Sequence, residues 1–421
     1  MRKTLIAAVL LVPALALASG YEVPNVNPRE LAMVSSTVAA QPAEAAATNV
    51  NPAALSKIEG LALSLSGSIL SLHTTWTAPA AAAPQGLTGS ESTNFHPVPP
   101  VALFVAYGTK LADRGVGLGF GMGNPAGGNM FWDDNWQGRG RIETVQRRFY
   151  GFYLNGGVEV IPDMLRLGGG AIYYYATQYL KQGVQPVPGA FAELETKGGA
   201  FSYEAAAEFK PLRDVPLTLG IDYKHKAHTD QEGEANFDVP PALLSATIRD
   251  QDVKSSLVMP NLLHVGVGFR PVKPLLITAG WSLVRFVVYK EDLFVGSTGL
   301  EIAVPRDYRN GYGLRLGAEY DLSKAWTVRG GFFRDISGLR TRTYSPTLPD
   351  SDSWVVAAGA SYRVRQNFAV NGAFYYADRD RVEATDTTVT NPDGSFPGSY
   401  KTRAYIASLG ITYNLPELGR R

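Results

Sequence analysis

From Gly60 onward the chain alternates with a period of two, and no run of eighteen or more apolar residues occurs there. Leu314, Leu316, Ala318 and Tyr320 fall on one face, with Arg315, Gly317 and Glu319 on the other. Leu217, Leu219, Ile221 and Tyr223 alternate in the same way with Thr218, Gly220, Asp222 and Lys224. This is the pattern of a strand with two unlike faces. Without long apolar runs, spanning helices are excluded, and such a chain crosses a membrane only as a closed barrel.

The N-terminus points to export. Arg2 and Lys3 precede an apolar run from Leu5 to Ala18, and Ala16-Leu17-Ala18 is a small-x-small cleavage pattern. Residues 1–18 are therefore expected to be a signal peptide, with Ser19 starting the mature chain. The 39 basic and 38 acidic residues nearly balance, so no basic excess argues for nucleic acid. With no cysteine in the chain, disulfides and thiolate metal sites are ruled out.

Fourteen alternating segments start near Leu61, Val101, Val116, Arg148, Leu165, Phe201, Leu217, Asn261, Leu275, Tyr312, Trp326, Trp354, Phe368 and Lys401. An even number is what a single-chain bacterial barrel needs to close. The connections alternate too. Short ones such as Leu111–Arg114 and Pro271–Pro274 are followed by long ones such as Asn124–Arg147 and His228–Met259. Short periplasmic turns and long external loops are the known asymmetry of these barrels. Tyr107, Phe209, Phe269, Tyr320, Tyr362 and Tyr413 all end descending strands on the apolar face, where an interfacial girdle belongs. Arg166, Glu204, Glu208, Asp222, Lys224, Arg270, Arg315, Glu319, Arg329 and Arg363 fall on the lumen face.

Residues 19–59 break the rhythm. They are rich in alanine, with Pro24, Pro28, Pro42 and Pro52 spaced through them, so only short helices and turns are open to them. A barrel this wide needs something in its lumen, and this segment is expected to be the plug. In the third strand Gly115, Gly117, Gly119, Gly121 and Gly123 leave one face bare. Two readings fit and are compatible: the plug packs closely there, or the wall deforms to pass a ligand. Two external loops are apolar for segments facing water, one with Val184, Pro188 and Phe191, the other with Leu243, Leu244 and Ile248. Exposed apolar surface of this kind marks a binding site. Met130, Phe131, Trp132 and Trp136 could add to it.

Signs of catalysis are thin. His225 and His228 with Asp222 and Asp230 could be drawn as a hydrolase cluster at the outer rim, yet the region also reads as a polar strand running into a loop. No His/carboxylate spacing reads as a metal site. The chain is expected not to be an enzyme and to need no cofactor.

Several stretches resemble the FadL-type outer-membrane transporters of long-chain fatty acids and hydrocarbons. Ser19-Gly20-Tyr21-Glu22-Val23 looks like that family's mature N-terminus, and Asn51-Pro52-Ala53 looks like the motif closing its N-terminal hatch. Gly117-Leu118-Gly119-Phe120-Gly121, Asn124-Pro125-Ala126-Gly127 and Trp136-Gln137-Gly138-Arg139 look like its third strand and following loop, and Pro349-Asp350 before Trp354 is a weaker likeness. The chain departs from the family pattern in running past Tyr413 to Arg421 instead of ending on an aromatic residue.

The resemblance implies an all-β transmembrane fold. It is a 14-stranded antiparallel outer-membrane β-barrel, residues 60–414, with an N-terminal helical hatch, 19–59, plugging the lumen and a tail at 415–421. It implies passive uptake of a fatty acid or similar hydrocarbon. The ligand would be captured by apolar loops, held in a hatch-gated pocket and released sideways near the third strand. Tyr21 would then sit by the pocket, Asn51, Pro52 and Ala53 in the hatch, and Gly117, Gly119, Gly121 and Gly123 near the opening. Phe191, Leu243, Leu244 and Ile248 are the capture residues, with Arg315 and Arg329 as the candidate carboxylate partners by lumen parity. Expected partners are the ligand and outer-membrane lipid and lipopolysaccharide around a monomer. The rival readings are a general diffusion porin and, further off, an outer-membrane hydrolase.

Overall fold

A computed structural model describes residues 22–185, 187–384 and 396–415. The expected signal peptide, Tyr21 and most of the C-terminal tail lie outside the described residues.

Fourteen antiparallel strands form the wall. They are β1 Gly60–Thr77, β2 Val101–Leu111, β3 Arg114–Gly123 continued by Gly127–Phe131, β4 Thr144–Ile161, β5 Leu165–Gly183, and β6 Phe191–Phe209. Then come β7 Leu217–Lys224 continued by Ala227–Asp238, β8 Gln251–Met259 continued by Leu262–Val272, β9 Leu275–Val284, and β10 Gly311–Asp321. The last four are β11 Trp326–Ile336, β12 Ser353–Arg365, β13 Phe368–Arg379 and β14 Gly398–Leu415. The sheet closes because β1 pairs on one side with β14, from Leu61↔Leu415 to Thr77↔Ser399, and on the other with β2, from Gly60↔Gly108 to Gly67↔Val101. Closure leaves no edge strand, which is what lets a sheet sit in hydrocarbon. No described helix is long and apolar enough to cross a membrane.

The two-residue period becomes two environments. Leu65, Ile69, Leu118, Phe120, Leu314 and Leu316 stand exposed on the outside, while Ser64, Ser66, Ser68 and Ser408 are buried inside. Tyr107, Phe209, Phe269, Tyr320 and Tyr362 are also exposed on the outer face beside the short turns. At the turn between β2 and β3, Ala112 and Asp113 both have positive φ, as a two-residue type I′ hairpin demands.

The strands run further outward than the apolar alternation suggests. The segment read as the loop His228–Met259 is mostly a hairpin, Ala227–Asp238 against Gln251–Met259. Its outward residues His228, Asp230, Glu232 and Glu234 are exposed. Outside the membrane both faces meet water or polar groups, so pairing persists where the hydropathy signal has ended. A second hairpin, Glu291–Gly296 with Glu301–Pro305, lies between β9 and β10 and pairs back onto β8 through Val253↔Gly296.

Residues 22–59 fill the lumen as one short helix, α1 (Pro28–Ala32), and two 3-10 turns, Ala45–Asn49 and Pro52–Lys57. Leu31, Ala45, Ala47, Ala53, Ala54 and Leu55 are fully buried. Small side chains let this irregular backbone approach the wall, and polar groups fix it there. Asn27 caps α1 and donates to Ser64 (3.2 Å), while Ser408 donates to the Val26 carbonyl (2.6 Å).

Candidate functional site

The described residues enclose a cavity of about 750 Å³ above the plug, within the range of small-molecule sites. Its floor is the start of the plug, Glu22 to Pro24 with Val34 and Ser35. Its inner wall holds Leu70 and Leu72 of β1, Phe333 of β11, Tyr375 and Ala377 of β13 and Ile406 of β14. These side chains are apolar although they face the lumen, as are Phe104, Tyr153, Ile172 and Tyr174 on other strands.

The cavity also has residues from the opposite face. Val101 is exposed to the outside, Met122 shares the outward parity of Leu118 and Phe120, and Arg148 and Tyr150 share that of Leu154. It therefore reaches through the wall. The reason lies in β3. After Gly123 the strand breaks at Asn124-Pro125-Ala126, where proline removes a ladder donor. The continuation Gly127–Phe131 pairs with β4 on one side only. On its other side β2 does not begin until Val101, and the ladder between β2 and β3 ends at Leu103↔Met122. Pro97, Pro99 and Pro100 line the gap. Asn124 bridges it with two hydrogen bonds, accepting from Val101 N (3.2 Å) and donating to Phe149 O (3.2 Å). The plug's first residues attach to the break, Val23 N donating to Pro125 O (3.1 Å) and Glu22 bridging to Ala126.

Arg315 lies in the cavity, buried, donating to Ser282 Oγ and stacked 4.1 Å over the Phe333 ring. Its Nε has no hydrogen-bond partner, and among the described residues no carboxylate forms an ion pair with it. Arg379, another lining residue, is paired with Asp350, whose carboxyl burial pushes up to about 6 against the pull of Arg379. Arg147 is held by Asp292 (2.6 Å) of the external hairpin, which Arg306 also grips (2.5 Å). Burial alone would raise the Asp292 carboxyl, but Arg147 and Arg306 overcome it and hold it well below the usual range. Burial raises Glu22, opposed by Arg315 and Lys224.

The structure separates the other candidate residues. Arg329 is not in the cavity; it is engaged below it by Glu319 (2.7 Å), which also binds Arg29 of α1 (2.9 Å). Asn51 accepts from Ala53 N (3.1 Å) and donates to Val38 O (2.6 Å) and to Ala207 O of β6 (3.2 Å), so Asn51, Pro52 and Ala53 join plug to wall. A Cβ on Gly117 would collide with the Leu55 backbone, and one on Gly119 with Thr48, so this face seats the plug. At Gly121 and Gly123 the neighbour is Phe104, and the break begins one residue later. Phe191 pairs with Asp238 at the base of the 239–250 tip, on which Leu244 and Ile248 are exposed and Leu243 half-buried. None of these four lines the cavity. Trp132 and Trp136 are buried, stacked at 4.2 Å, and pack with Trp76 and Phe396 in the outer cap, so they add no exposed surface.

The rim histidines do not form a catalytic cluster. Asp222 is buried in the lumen beside Lys224 (2.5 Å), whereas His225 stacks on Tyr203 on the outer face and bonds the Tyr223 hydroxyl (2.8 Å). His228 and Asp230 are exposed. No group of three potential metal ligands occurs among the described residues.

The sequence matches the outer membrane protein transport protein family (OMPP1/FadL/TodX) over residues 9–415. A long-chain fatty acid transport protein of Escherichia coli is 20% identical over 250 residues, 56% of this chain and 54% of that protein. An outer membrane protein of Neisseria meningitidis serogroup B is 25% identical over 134 residues, 31% of this chain and 29% of that one. The matched part thus spans about half or less of these curated relatives. Among solved structures, a Pseudomonas aeruginosa FadL homologue has a TM-score of 0.80 at 19% identity, covering 94% of this chain and all (100%) of that one. The P. putida toluene transporter TodX has a TM-score of 0.67 at 14% identity, covering 89% and 95%.

Proposed function

The chain belongs to the outer membrane protein transport protein family (OMPP1/FadL/TodX), and from that premise we propose that it carries hydrophobic small molecules passively across the outer membrane, releasing them sideways through the break in β3. The observation that carries this reading is the cavity itself, apolar inside and lined by both faces of one wall where the ladder is open. An apolar ligand held there has a lower-energy route into lipid than through the polar plug below.

The plug supports the same route. It is anchored by the buried ion pair Arg29–Glu319 (2.9 Å), whose loss costs several kcal/mol, and by the part-buried pair Lys57–Glu208 (2.6 Å). A porin requires an open lumen, which this arrangement opposes. Exposed Leu244 and Ile248 at the 239–250 tip offer a first contact for an apolar ligand in water. The unpaired Arg315 favours a ligand with an anionic headgroup, such as a fatty acid, over a neutral hydrocarbon. The similar proteins of known cargo include both a fatty acid transporter and a toluene transporter. The mature chain is expected to follow a cleaved export signal and to work as a monomer in lipid and lipopolysaccharide.

The test is uptake of radiolabelled palmitate and toluene by cells making the protein, beside single-channel conductance of the purified barrel. Uptake of either without a stable large conductance agrees with the proposal. A large steady conductance with no uptake of either would replace it with the porin.

A further inference from the structure

Several charged groups line the cavity: Arg379 pairs with Asp350 and Asp335 accepts from Ser353 Oγ (3.4 Å), whereas Glu22 and Arg315 are short of the partners buried charges normally have. Glu22 Oε2 is buried with no hydrogen-bond partner, and its other oxygen lies 4.0 Å from His264 Nε2. Arg315 has hydroxyl and ring contacts but, among the described residues, no carboxylate partner. Both line the same cavity, and the field of Arg315 acts on Glu22. A buried guanidinium without a fully bonded counter-ion is costly, and so is a buried carboxylate with an idle oxygen. Each therefore gains from an added ion of the other's charge.

Glu22 has a second attachment. Its backbone bridges to Ala126, and Val23 N donates to Pro125 O (3.1 Å), so the residue carrying the acid is tied to the break in β3. We infer that Glu22 is a specificity-determining residue: it supplies the distant counter-charge to Arg315 when no anion is bound, and the headgroup of an anionic amphiphile takes that place. Like charges then oppose one another across the cavity, and the 22–23 segment is pushed from the break. A neutral ligand of the same shape has no such effect. This rests on the cavity being the ligand site, as proposed above.

The experiment compares palmitate with methyl palmitate, which share a tail and differ in charge, by equilibrium binding to the detergent-solubilised full chain. Glu22→Gln keeps shape and removes the charge. It is expected to tighten palmitate about tenfold, within the usual range for coupled sites, and to leave methyl palmitate unchanged. Arg315→Gln is expected to weaken palmitate and to erase the effect of Glu22→Gln in the double variant. Because the chain has no cysteine, a single Val23→Cys reports on the segment, and palmitate should speed its labelling by a water-soluble thiol reagent while the ester does not. If Glu22→Gln shifts both probes alike or neither, Glu22 has only a structural role and the inference falls. If wild-type protein binds neither probe, the cavity reading itself fails and takes the inference with it.

Discussion

The backbone carbonyl of Leu55 occupies the space that a Cβ on Gly117 would need. The bare face of β3 is thus the seat of the plug, with glycine required by close approach. Gly117→Ala should cost about 1–3 kcal/mol by overpacking, read as a lower unfolding midpoint of the purified barrel. An unchanged midpoint would mean that the plug does not press on this wall.

Glu319 holds Arg29 from the plug and, from the wall, Arg329 closely and Arg270 at 3.5 Å. Glu319→Ala leaves Arg329 without its carboxylate and Arg29 with Glu30 alone (3.2 Å), a loss of about 3–5 kcal/mol for a broken buried pair. Much of that falls on the plug. The variant should show frequent conductance bursts in planar bilayers where the wild type is quiet. Quiet traces from a folded variant would show that other contacts suffice.

Acid should loosen the outer cap. The Asp292 carboxyl is depressed in the folded state, so its contribution is in place above the ordinary aspartate value of about 4 and is lost as the pH falls through and below it. Protease cleavage in the 291–305 hairpin should rise over that window. In Asp292→Asn cleavage should be high throughout and flat with pH, since Arg147 and Arg306 then lack their carboxylate at every pH.

The exposed tip gives a concentration-dependent prediction. Replacing Leu243, Leu244 and Ile248 together by serine should slow uptake several-fold at low ligand concentration and little at saturation, because capture limits only the first regime. Equal uptake at both would remove the tip from the route.

The fold was legible where one strand face meets lipid and the other meets the plug. There Leu65 and Ser66, or Leu316 and Arg315, sit in opposite solvents, and the period of two records it. It was illegible in the outer hairpins, where His228 and Thr229 are both polar although their strand is fully paired. For the cavity, the family motif lies on the strand whose break borders it, and parity put Arg315 on the face that lines it. Arg329 shares that parity but sits lower, beside Glu319, and parity carries no height. Leu70, Phe333, Tyr375 and Ile406 carry no separate mark in the sequence, since Phe104, Tyr153, Ile172 and Tyr174 are apolar on the lumen face too. That the first four converge at one level depends on the register of non-neighbouring strands, which one sequence does not state.

The proposed route runs through the cavity and out at the break in β3. Gly128 lines that cavity opposite the inward-facing Arg147, and a Cβ there meets nothing within 4 Å. Gly128→Trp should therefore fill the passage without disturbing plug or wall, unlike a large residue at Gly119 or Gly121. Initial palmitate uptake by cells with equal amounts of folded barrel is the deciding measurement. Uptake should be at least about tenfold slower, the scale of a lost binding interaction of ~1.4 kcal/mol or more, whereas a wild-type rate would mean that ligand does not pass this way.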